Sequence, residues 1–252
     1  MKKLTIILIL LPFFLGSAQN NALFSRATKA YNAGEYEKAV ESYLKILDNG
    51  EHSAELYYNL GNAYYKMSQI APSIYYYEKA LLLKPNDPEI KNNLSFAQNM
   101  TLDAIEQLPE TGLSKIYRNI VEVLSFEQWA YVSVVCIMIF VLAYLLFYFL
   151  RYSSHKRIAF VSSIVALIIG VISILLAYIE YTDFSEDQPA IVFQEESIVK
   201  SEPNNRSQQA FKLHEGTKVN VLEVLDDWKK IALVDGKTGW ISSEDIKLLK
   251  DF

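Results

Sequence analysis

The stretch that decides the fold lies at residues 129–179. Two apolar runs, WAYVSVVCIMIFVLAYLLFYFL (129–150) and IAFVSSIVALIIGVISILLAYI (158–179), flank the basic bridge RYSSHKR (151–157). Neither run contains Asp, Glu, Lys or Arg, and at about 1.5 Å per helical residue each covers the roughly 30 Å of a bilayer's hydrocarbon core. Two buried helices of a globular protein are the alternative, but the lack of charge is typical of membrane spans. The sequence therefore predicts a transmembrane helical hairpin.

The charges beside the hairpin predict its orientation. The bridge carries Arg151, Lys156 and Arg157 and no acidic residue, whereas acidic residues follow the second run. Short loops rich in Lys and Arg stay in the cytoplasm, so residues 151–157 are predicted to form a cytoplasmic loop. The segments before and after the hairpin then lie together on the outer side of the membrane.

The N-terminus predicts the same outer location independently. Lys2 and Lys3 precede the apolar residues 4–15, and a small-residue cleavage site ends at Ala18, so residues 1–18 read as a secretory signal peptide. An uncleaved anchor is the alternative, because the apolar stretch is long. Both forms would deliver the next segment to the outer side of the membrane.

Composition argues against several classes of function. The formal net charge of −5 disfavours nucleic acid as a partner. Cys136, the only cysteine, lies in the first span, which excludes an intramolecular disulfide or a cysteine metal site. His52, His155 and His214 fall in separate segments, and no catalytic motif is found. We predict no catalytic residue, no metal and no cofactor; an enzyme with an unrecognised site is a remote alternative.

Residues 20–100 repeat themselves with a spacing of about 34 residues. One period relates Ala27 to Gly61 and Tyr43 to Tyr77. A small residue lets the first helix of a pair approach the second closely, and an aromatic side chain fills the space between them. The spacing predicts an all-α domain of stacked helix pairs, ending in a half unit.

The second copy resembles the tetratricopeptide repeat (TPR) in its pattern Tyr57-x-x-Leu60-Gly61-x-x-Tyr64, followed by Tyr77, Ala80 and Pro85. Ser68 stands where a glycine is usual, and Pro72 is tolerated only in the first turn of its helix. About three stacked pairs are normally needed for stability. We therefore expect the next segment, the membrane-proximal surface or a partner chain to cover the exposed ends.

The TPR resemblance implies a concave, protein-binding groove lined by the first helix of each pair. Asn62 would suit a family mode that grips a C-terminal carboxylate, but Phe24 and Tyr58 occupy the lysine positions of that mode. Packing of the tyrosines between helices is an open alternative. The groove positions are Phe24, Thr28, Tyr31, Asn32, Tyr58, Asn59, Asn62, Tyr65, Lys66, Asn92, Asn93 and Phe96.

Residues 101–128 form a connector and an amphipathic helix. Apolar residues recur at helical spacing between residues 113 and 128, up to Trp129. This helix would lie at the membrane interface with Trp129 as its anchor, or pack back on the repeats. The two alternatives stay open.

After an acidic linker at residues 180–189, the periodicity changes from 3.6 to 2. Short strands separated by turns predict a small antiparallel all-β barrel over residues 190–252. The run Leu213-His214-Glu215-Gly216-Thr217-Lys218-Val219, with Trp228 and the stretch 235–241, resembles the bacterial SH3-type (SH3b) domain. A barrel of this size needs large core side chains, so Trp228 and Trp240 are expected in the core, and a place on the binding surface is the open alternative. The expected strands are residues 191–193, 197–199, 218–222, 228–233 and 239–241.

The order of signal peptide, TPR repeats, two spans and SH3b domain resembles the BatE-type family of aerotolerance-operon proteins. The resemblance implies a multidomain membrane protein that acts as a non-enzymatic scaffold in an envelope-stress complex. Its partners would be other Bat membrane proteins with von Willebrand A domains and a cytoplasmic MoxR-type ATPase. The alternative is attachment to peptidoglycan through the SH3b domain.

Overall fold

The computed structural model of the chain describes residues 19–103, 105, 112–121 and 123–250. The predicted signal peptide lies outside these residues. The chain divides into two compact units, of which the first combines Met1–Gln107 with Gln188–Phe252, and the second is Leu108–Asp187.

The first unit begins with five helices in two antiparallel pairs and a single helix. Helix α1 covers residues 19–32, and α2 (Tyr36–Asp48), α3 (Ala54–Lys66), α4 (Ile70–Leu83) and α5 (Pro88–Gln98) follow. The turns inside the two pairs need a left-handed residue, supplied by Gly34 with φ 79° and by Ser68 with φ 57°. Ser68 thus takes the conformation of the glycine that it replaces.

Close helix packing explains the small residues of the repeat. A Cβ on Gly61 would lie 2.6 Å from Cδ1 of Tyr77, and both residues are buried. Ala27 and Tyr43 are buried at the equivalent positions of the first pair. Pro72 is the third residue of α4, in the first turn, where its missing N–H breaks no helical hydrogen bond. The predicted roles of Gly61 and Ala27 therefore agree with the packing.

The C-terminal part of the first unit is an antiparallel seven-stranded sheet with the order β3-β2-β6-β5-β4-β1-β7. A single 3-10 turn, Ser243–Asp245, precedes the last strand. The strands are β1 (Pro189–Val192), β2 (Glu196–Lys200), β3 (Gln209–His214), β4 (Lys218–Leu225), β5 (Trp228–Ala232), β6 (Thr238–Ser242) and β7 (Ile246–Leu248).

The predicted barrel is not closed. Among the described residues, the edge strand β3 pairs only with β2 and the edge strand β7 only with β1, so the two edges do not pair with each other. Groups from outside the sheet take up their edge hydrogen bonds. The Tyr75 hydroxyl of α4 donates to the carbonyl of Leu248 at 3.2 Å, and the N–H of His214 donates to the Asp103 carboxylate at 2.7 Å. β3 and β7 themselves are strands that the sequence interpretation missed.

The sheet packs directly on the repeats through β1. Ala190 and Val192 point into the core of the sheet, while Ile191, which is fully buried, joins the cluster formed by Ile74 and Tyr75 of α4. Leu249 and the apolar residues of α5 belong to the same cluster. The SH3-like domain therefore covers the C-terminal end of the repeats, a role that we had assigned to the next segment, the membrane surface or a partner.

The chain leaves the first unit and returns to it at points held on the sheet. Before the second unit, Asp103 is hydrogen-bonded to the turn between β3 and β4. After it, the N–H of Gln188 donates to Oδ1 of Asn220 and its carbonyl accepts from the N–H of Val221, both at 2.9 Å.

The second unit contains α6 (Gly112–Val121), α7 (Phe126–Phe149) and α8 (Ser153–Glu186). Three predicted boundaries are wrong. The bridge 151–157 is mostly helical, since no Gly or Pro interrupts the start of α8, and the linker 180–189 is helical up to Glu186. The amphipathic helix ends at Val121, because Ser125 and Gln128 form a capping box that starts α7.

Aromatic contacts join the ends of the second unit's helices. Phe126 of α7 lies 5.7 Å from Tyr181 and 5.6 Å from Phe184 of α8, between ring centroids. The Tyr117 hydroxyl of α6 donates to Asp183 at 2.5 Å, and Nε1 of Trp129 donates to the carbonyl of Val121. Within the second unit, the amphipathic helix α6 therefore lies beside α8.

Small residues line the contact between α7 and α8. Ser133 and Ala143 of α7 are buried, and so are five small residues of α8. A Cβ on Gly170 would lie 3.4 Å from Cβ of Cys136, at ordinary van der Waals distance. Both helices are long and apolar enough to cross a membrane. Only 11% of the most apolar stretch of α7 and 28% of that of α8 are buried.

Candidate functional site

The predicted groove residues of the second and third repeats meet in one hydrogen-bonded network. Asn62 Oδ1 accepts from the Tyr77 hydroxyl at 2.6 Å and from Nδ2 of Asn93 at 2.9 Å. Nδ2 of Asn93 also donates to the Tyr58 hydroxyl at 2.9 Å, which in turn donates to Oε1 of Glu89 at 2.7 Å. This network fixes the orientation of both amides, because the Asn62 oxygen accepts two hydrogen bonds and the Asn93 nitrogen donates two.

The network leaves hydrogen-bonding capacity on the groove side. The described contacts of Asn62 use its oxygen, which leaves its Nδ2 donors, and those of Asn93 use its nitrogen, which leaves its Oδ1 acceptor. A donor and an acceptor in fixed positions suit polar ligands such as peptide groups. Glu89 and Tyr77 were absent from the predicted set, since one follows a turn and the other belongs to a second helix.

Burial shifts the acidity of the two tyrosines in this network. Burial, reinforced by the hydrogen bond to Glu89, raises the pKa of Tyr58 to about 12. Burial likewise raises the pKa of Tyr77, with repulsion from the Tyr58 phenolate adding to it. Both hydroxyls are therefore protonated hydrogen-bond donors at physiological pH.

An open cleft of about 260 Å³ adjoins this network at the N-terminal end of α3. Its lining mixes charges of both signs with Tyr58 and Asn59. Asp87 is the N-cap of α5 and accepts hydrogen bonds from the N–H groups of Glu89 and Ile90. The remaining lining residues are Ala54, Glu55 and Lys84.

Three predicted groove residues of the first helix pair have packing contacts. The ring of Phe24 packs edge-to-face on Tyr43 at 5.5 Å, and Thr28 shares a hydrogen bond with the Tyr43 hydroxyl. Tyr31 packs on Tyr36. These three side chains serve the packing of the first helix pair, in line with the alternative left open for the tyrosines.

The other predicted groove residues differ in exposure. Tyr65 packs against the core of the repeats, whereas Lys66 is exposed. In the first repeat Asn32 is exposed. In the third repeat Asn92 and Phe96 are exposed, the latter to 53%. The structure thus brings Tyr58, Asn59, Asn62 and Asn93 together, and leaves the rest as packing residues or isolated surface positions.

Trp228 and Trp240 share one face of the sheet, and it is the face opposite the core. Ile231 and Ile241 point into the core, so their strand neighbours point outward. Trp228 pairs with Ser242, and Trp240 pairs with Lys230, whose ammonium lies 6.0 Å from the indole ring. Trp228 is half-buried and Trp240 is 8% exposed. The burial of Trp240 agrees with a core role, whereas half-buried Trp228 keeps part of its ring at the surface.

The clearest charged site is one that the sequence interpretation missed. The Asp103 carboxylate accepts hydrogen bonds from the N–H and Nδ1 of His214, both at 2.7 Å, and from Oγ1 of Thr217 at 2.6 Å. Burial acts to raise the pKa of Asp103, but the hydrogen bonds from Thr217 and His214 outweigh it and lower the pKa overall. These partners are more than a hundred residues apart along the chain, so no local pattern announces them.

A partly buried ion pair also joins the repeats to the sheet. Nζ of Lys218 on β4 lies 2.7 Å from Oε2 of Glu78 on α4; the Glu78 side chain is buried and the Lys218 side chain is about half exposed. Removing Lys218 would take away the cation that faces this buried carboxylate. No group of His, Cys, Asp and Glu suited to a metal ion is found in the part of the chain that the structure describes.

The basic bridge keeps its charges together at one end of the second unit. Arg151 is exposed between the helices, and Lys156 and Arg157 lie in the first turns of α8. Nζ of Lys156 lies 5.8 Å from the ring centroid of Phe147 on α7.

Comparison with known families agrees with this division of the first unit. Residues 54–87 match the tetratricopeptide repeat family, and residues 196–247 match the bacterial SH3 domain family. Domains of these two classes generally mediate protein interactions or bind peptidoglycan. The predicted TPR and SH3b modules are thereby confirmed.

Comparison with curated proteins found no match. The resemblance to the BatE-type family stays a prediction.

Proposed function

We propose that the chain is a non-enzymatic scaffold of a bacterial inner membrane that holds a TPR groove and an SH3-like domain in the periplasm. The observation that carries this proposal is the composition of the first unit. Residues from both sides of the apolar hairpin pack into one body, in which Ile191 of β1 is buried against α4. Two interaction modules are thus held together by a chain that is interrupted by a membrane anchor.

Insertion of α7 and α8 in a membrane is supported by their exposed side chains. The core helices of a soluble protein are mostly buried, but large apolar residues cover the outside of both helices. Helices packed through small residues such as Ser133 and Gly170 are typical of membranes, where close approach replaces the hydrophobic effect. Aromatic residues at both ends, among them Trp129 and Tyr152, suit the two membrane interfaces.

The packing of the first unit supports the predicted topology. Since its two parts contact each other, they must lie on the same side of the membrane, and two spans satisfy that requirement. Arg151, Lys156 and Arg157 at the opposite end favour a cytoplasmic location for the bridge. The predicted signal peptide, residues 1–18, agrees with periplasmic delivery of the first unit.

The groove is the proposed partner site. Tyr58, Asn62 and Asn93 form a pre-organised polar surface, and pre-organisation lowers the entropic cost of binding a segment of another protein. By its order of modules the chain fits an aerotolerance or envelope-stress complex with other Bat membrane proteins as partners.

Cross-linking in cells followed by pull-down and mass spectrometry tests the groove. We would replace Asn59 and Lys66 by Ala, since both side chains lie on one face of α3, two turns apart, outside the hydrogen-bonded network. The control replaces the exposed Lys45 and Asn99, which lie on other helix surfaces. Loss of a membrane-protein partner from the groove variant alone is expected; the same partners in both variants would refute the groove.

Attachment to the cell wall is the second candidate function. It is favoured by the outward face of the sheet, where the half-buried Trp228 and Lys230 lie beside the buried Trp240. Aromatic rings stack on the apolar faces of sugars, and an ammonium group complements the carboxylates of peptidoglycan stems. Saturable binding of the full chain in detergent to purified sacculi, weakened by Trp228→Ala and unchanged by Leu222→Ala, is the result expected for this function. No sedimentation with sacculi would exclude it.

A further inference from the structure

The open boundary of the SH3-like sheet is occupied by the chain's own connector. We call the free edge of β3 and the turn that follows it, residues 214–217, the seam, and the residues Asp103 and Ile105 the strap. The strap belongs to the segment between α5 and the second unit, and both of its residues contact the sheet.

The polar half of the strap replaces a missing neighbour strand. Glu196 and His214 are opposite each other, and the N–H of His214 points away from β2 toward the Asp103 carboxylate. A carbonyl of an adjacent strand would normally accept such an N–H. The same carboxylate accepts from Nδ1 of His214 and from Thr217, and its side chain is only 15% exposed. One acidic side chain therefore satisfies three donors.

The apolar half of the strap contributes to the core of the sheet. Ile105 packs against the same buried cluster as Phe211 of β3 and Leu248 of β7. Ile105 therefore adds apolar cover to the core of the sheet beside the edge strand that Asp103 contacts. The pattern that fits this place is a carboxylate followed two residues later by a branched aliphatic side chain.

We propose that the seam is a docking slot for an extended peptide segment with this acidic-x-aliphatic pattern, and that the strap is its displaceable resident. The partner is a protein segment that carries an Asp or Glu two residues before an Ile, Val or Leu. Recognition rests on the three hydrogen bonds that His214 and Thr217 donate to a carboxylate and on the apolar place of Ile105. This site is separate from the TPR groove and does not depend on it.

The tether decides which partners succeed. A short connector holds its own segment at an effective concentration in the millimolar range, so dilute peptides compete poorly with it. A partner anchored in the same membrane presents its segment at a comparable local concentration. The resident therefore keeps the slot closed until a membrane neighbour arrives.

Hydrogen exchange on the unmodified full chain in detergent gives the first test. If the strap opens while the sheet stays folded, the amide of His214 exchanges faster than the amides of Phe211 and Leu213, which pair with β2. Exchange of His214 at the same rate as these two amides would show a strap that is a fixed part of the domain, and it would overturn the proposal.

Peptide binding gives the second test. A fluorescent peptide of residues 99–105 is titrated into the full chain with the strap replaced, Asp103→Asn and Ile105→Ser, after circular dichroism has verified its fold. We expect binding at least about tenfold tighter than to the unmodified chain. Adding Thr217→Val should reduce that binding, and a peptide with the same two strap replacements should not bind. Equal, weak binding of both peptides to the folded strap variant would refute the slot.

Discussion

Ile191 is the side chain whose truncation tests whether the repeats and the sheet form one folding unit. It is fully buried and lies in the cluster of α4 and α5, while its neighbours Ala190 and Val192 face the core of the sheet. An Ile191→Ala change therefore removes contacts between the repeats and the sheet and leaves the core of the sheet untouched.

The magnitude follows from the atoms removed. Ile→Ala deletes three carbon atoms, and at about 0.8 kcal/mol for each buried methyl or methylene group the transfer term is about 2.4 kcal/mol. A cavity that the surroundings cannot fill adds to this value, within the range of about 2–5 kcal/mol known for such truncations. The Glu78–Lys218 ion pair and the Tyr75 hydrogen bond resist collapse of the interface. We expect a loss in the upper half of that range.

The assay reads the two parts separately during urea unfolding in detergent micelles. Trp228 and Trp240 report on the sheet, and Trp129 of α7 is replaced by Phe in every variant to remove its emission. Far-ultraviolet circular dichroism reports on the repeat helices. In the unmodified chain both signals should change at one midpoint, and Ile191→Ala should lower that midpoint for both.

A surface truncation provides the matched control. Leu222 lies on β4 and is 54% exposed, so Leu222→Ala should change the stability by no more than about 0.5 kcal/mol. If Ile191→Ala lowers the midpoint of tryptophan emission but leaves that of the helices unchanged, the two parts fold independently and the reasoning from the shared cluster is refuted.

Three further predictions concern other parts of the molecule. Gly61→Ala gains about 1 kcal/mol of helix propensity but must displace Tyr77 at an overpacking cost of about 1–3 kcal/mol, so thermal unfolding should show a net loss; Gly112→Ala, with nothing within 4 Å of its Cβ, should show none. Because the pKa of Asp103 is lowered by folding, its stabilisation is complete above the unfolded value of 3.8 and disappears as pH falls through the folded value; Asp103→Asn should flatten this acid-limb slope in urea titrations. A cysteine introduced at Ser154 of a Cys136→Ser chain should react with a membrane-impermeant maleimide only after the inner membrane is opened, and labelling of intact spheroplasts would contradict a cytoplasmic bridge.

Elements with a regular local pattern could be predicted from the sequence. The repeat spacing placed Gly61 against Tyr77, and the conformation of Ser68 follows from its position in the turn. The two apolar runs correspond to long helices, but their ends were misplaced. A helix continues as long as no residue stops it, and the polar residues after Ile179 and before Ile158 are good helix formers.

The facing of the strands and the docking of the domains could not be predicted. A one-residue change in phase turns a strand side chain to the opposite face, and composition alone cannot set that phase for Trp228 and Trp240. Their direction is decided by Ile231 and Ile241, which fill the core. The contact of Asp103 with His214 depends on partners from different domains, so only the folded chain brings them together.

The two crossings between the units have a practical consequence. Asp103 is held by the turn that precedes β4, and Gln188 is held by Asn220 on β4 itself, so the chain departs from and rejoins the first unit at neighbouring places. In this respect the two apolar helices are an insertion in a fold that is continuous without them. Joining residue 107 to residue 188 by a short Gly-Ser linker would leave the contacts of the first unit intact and yield a water-soluble protein suited to crystallisation.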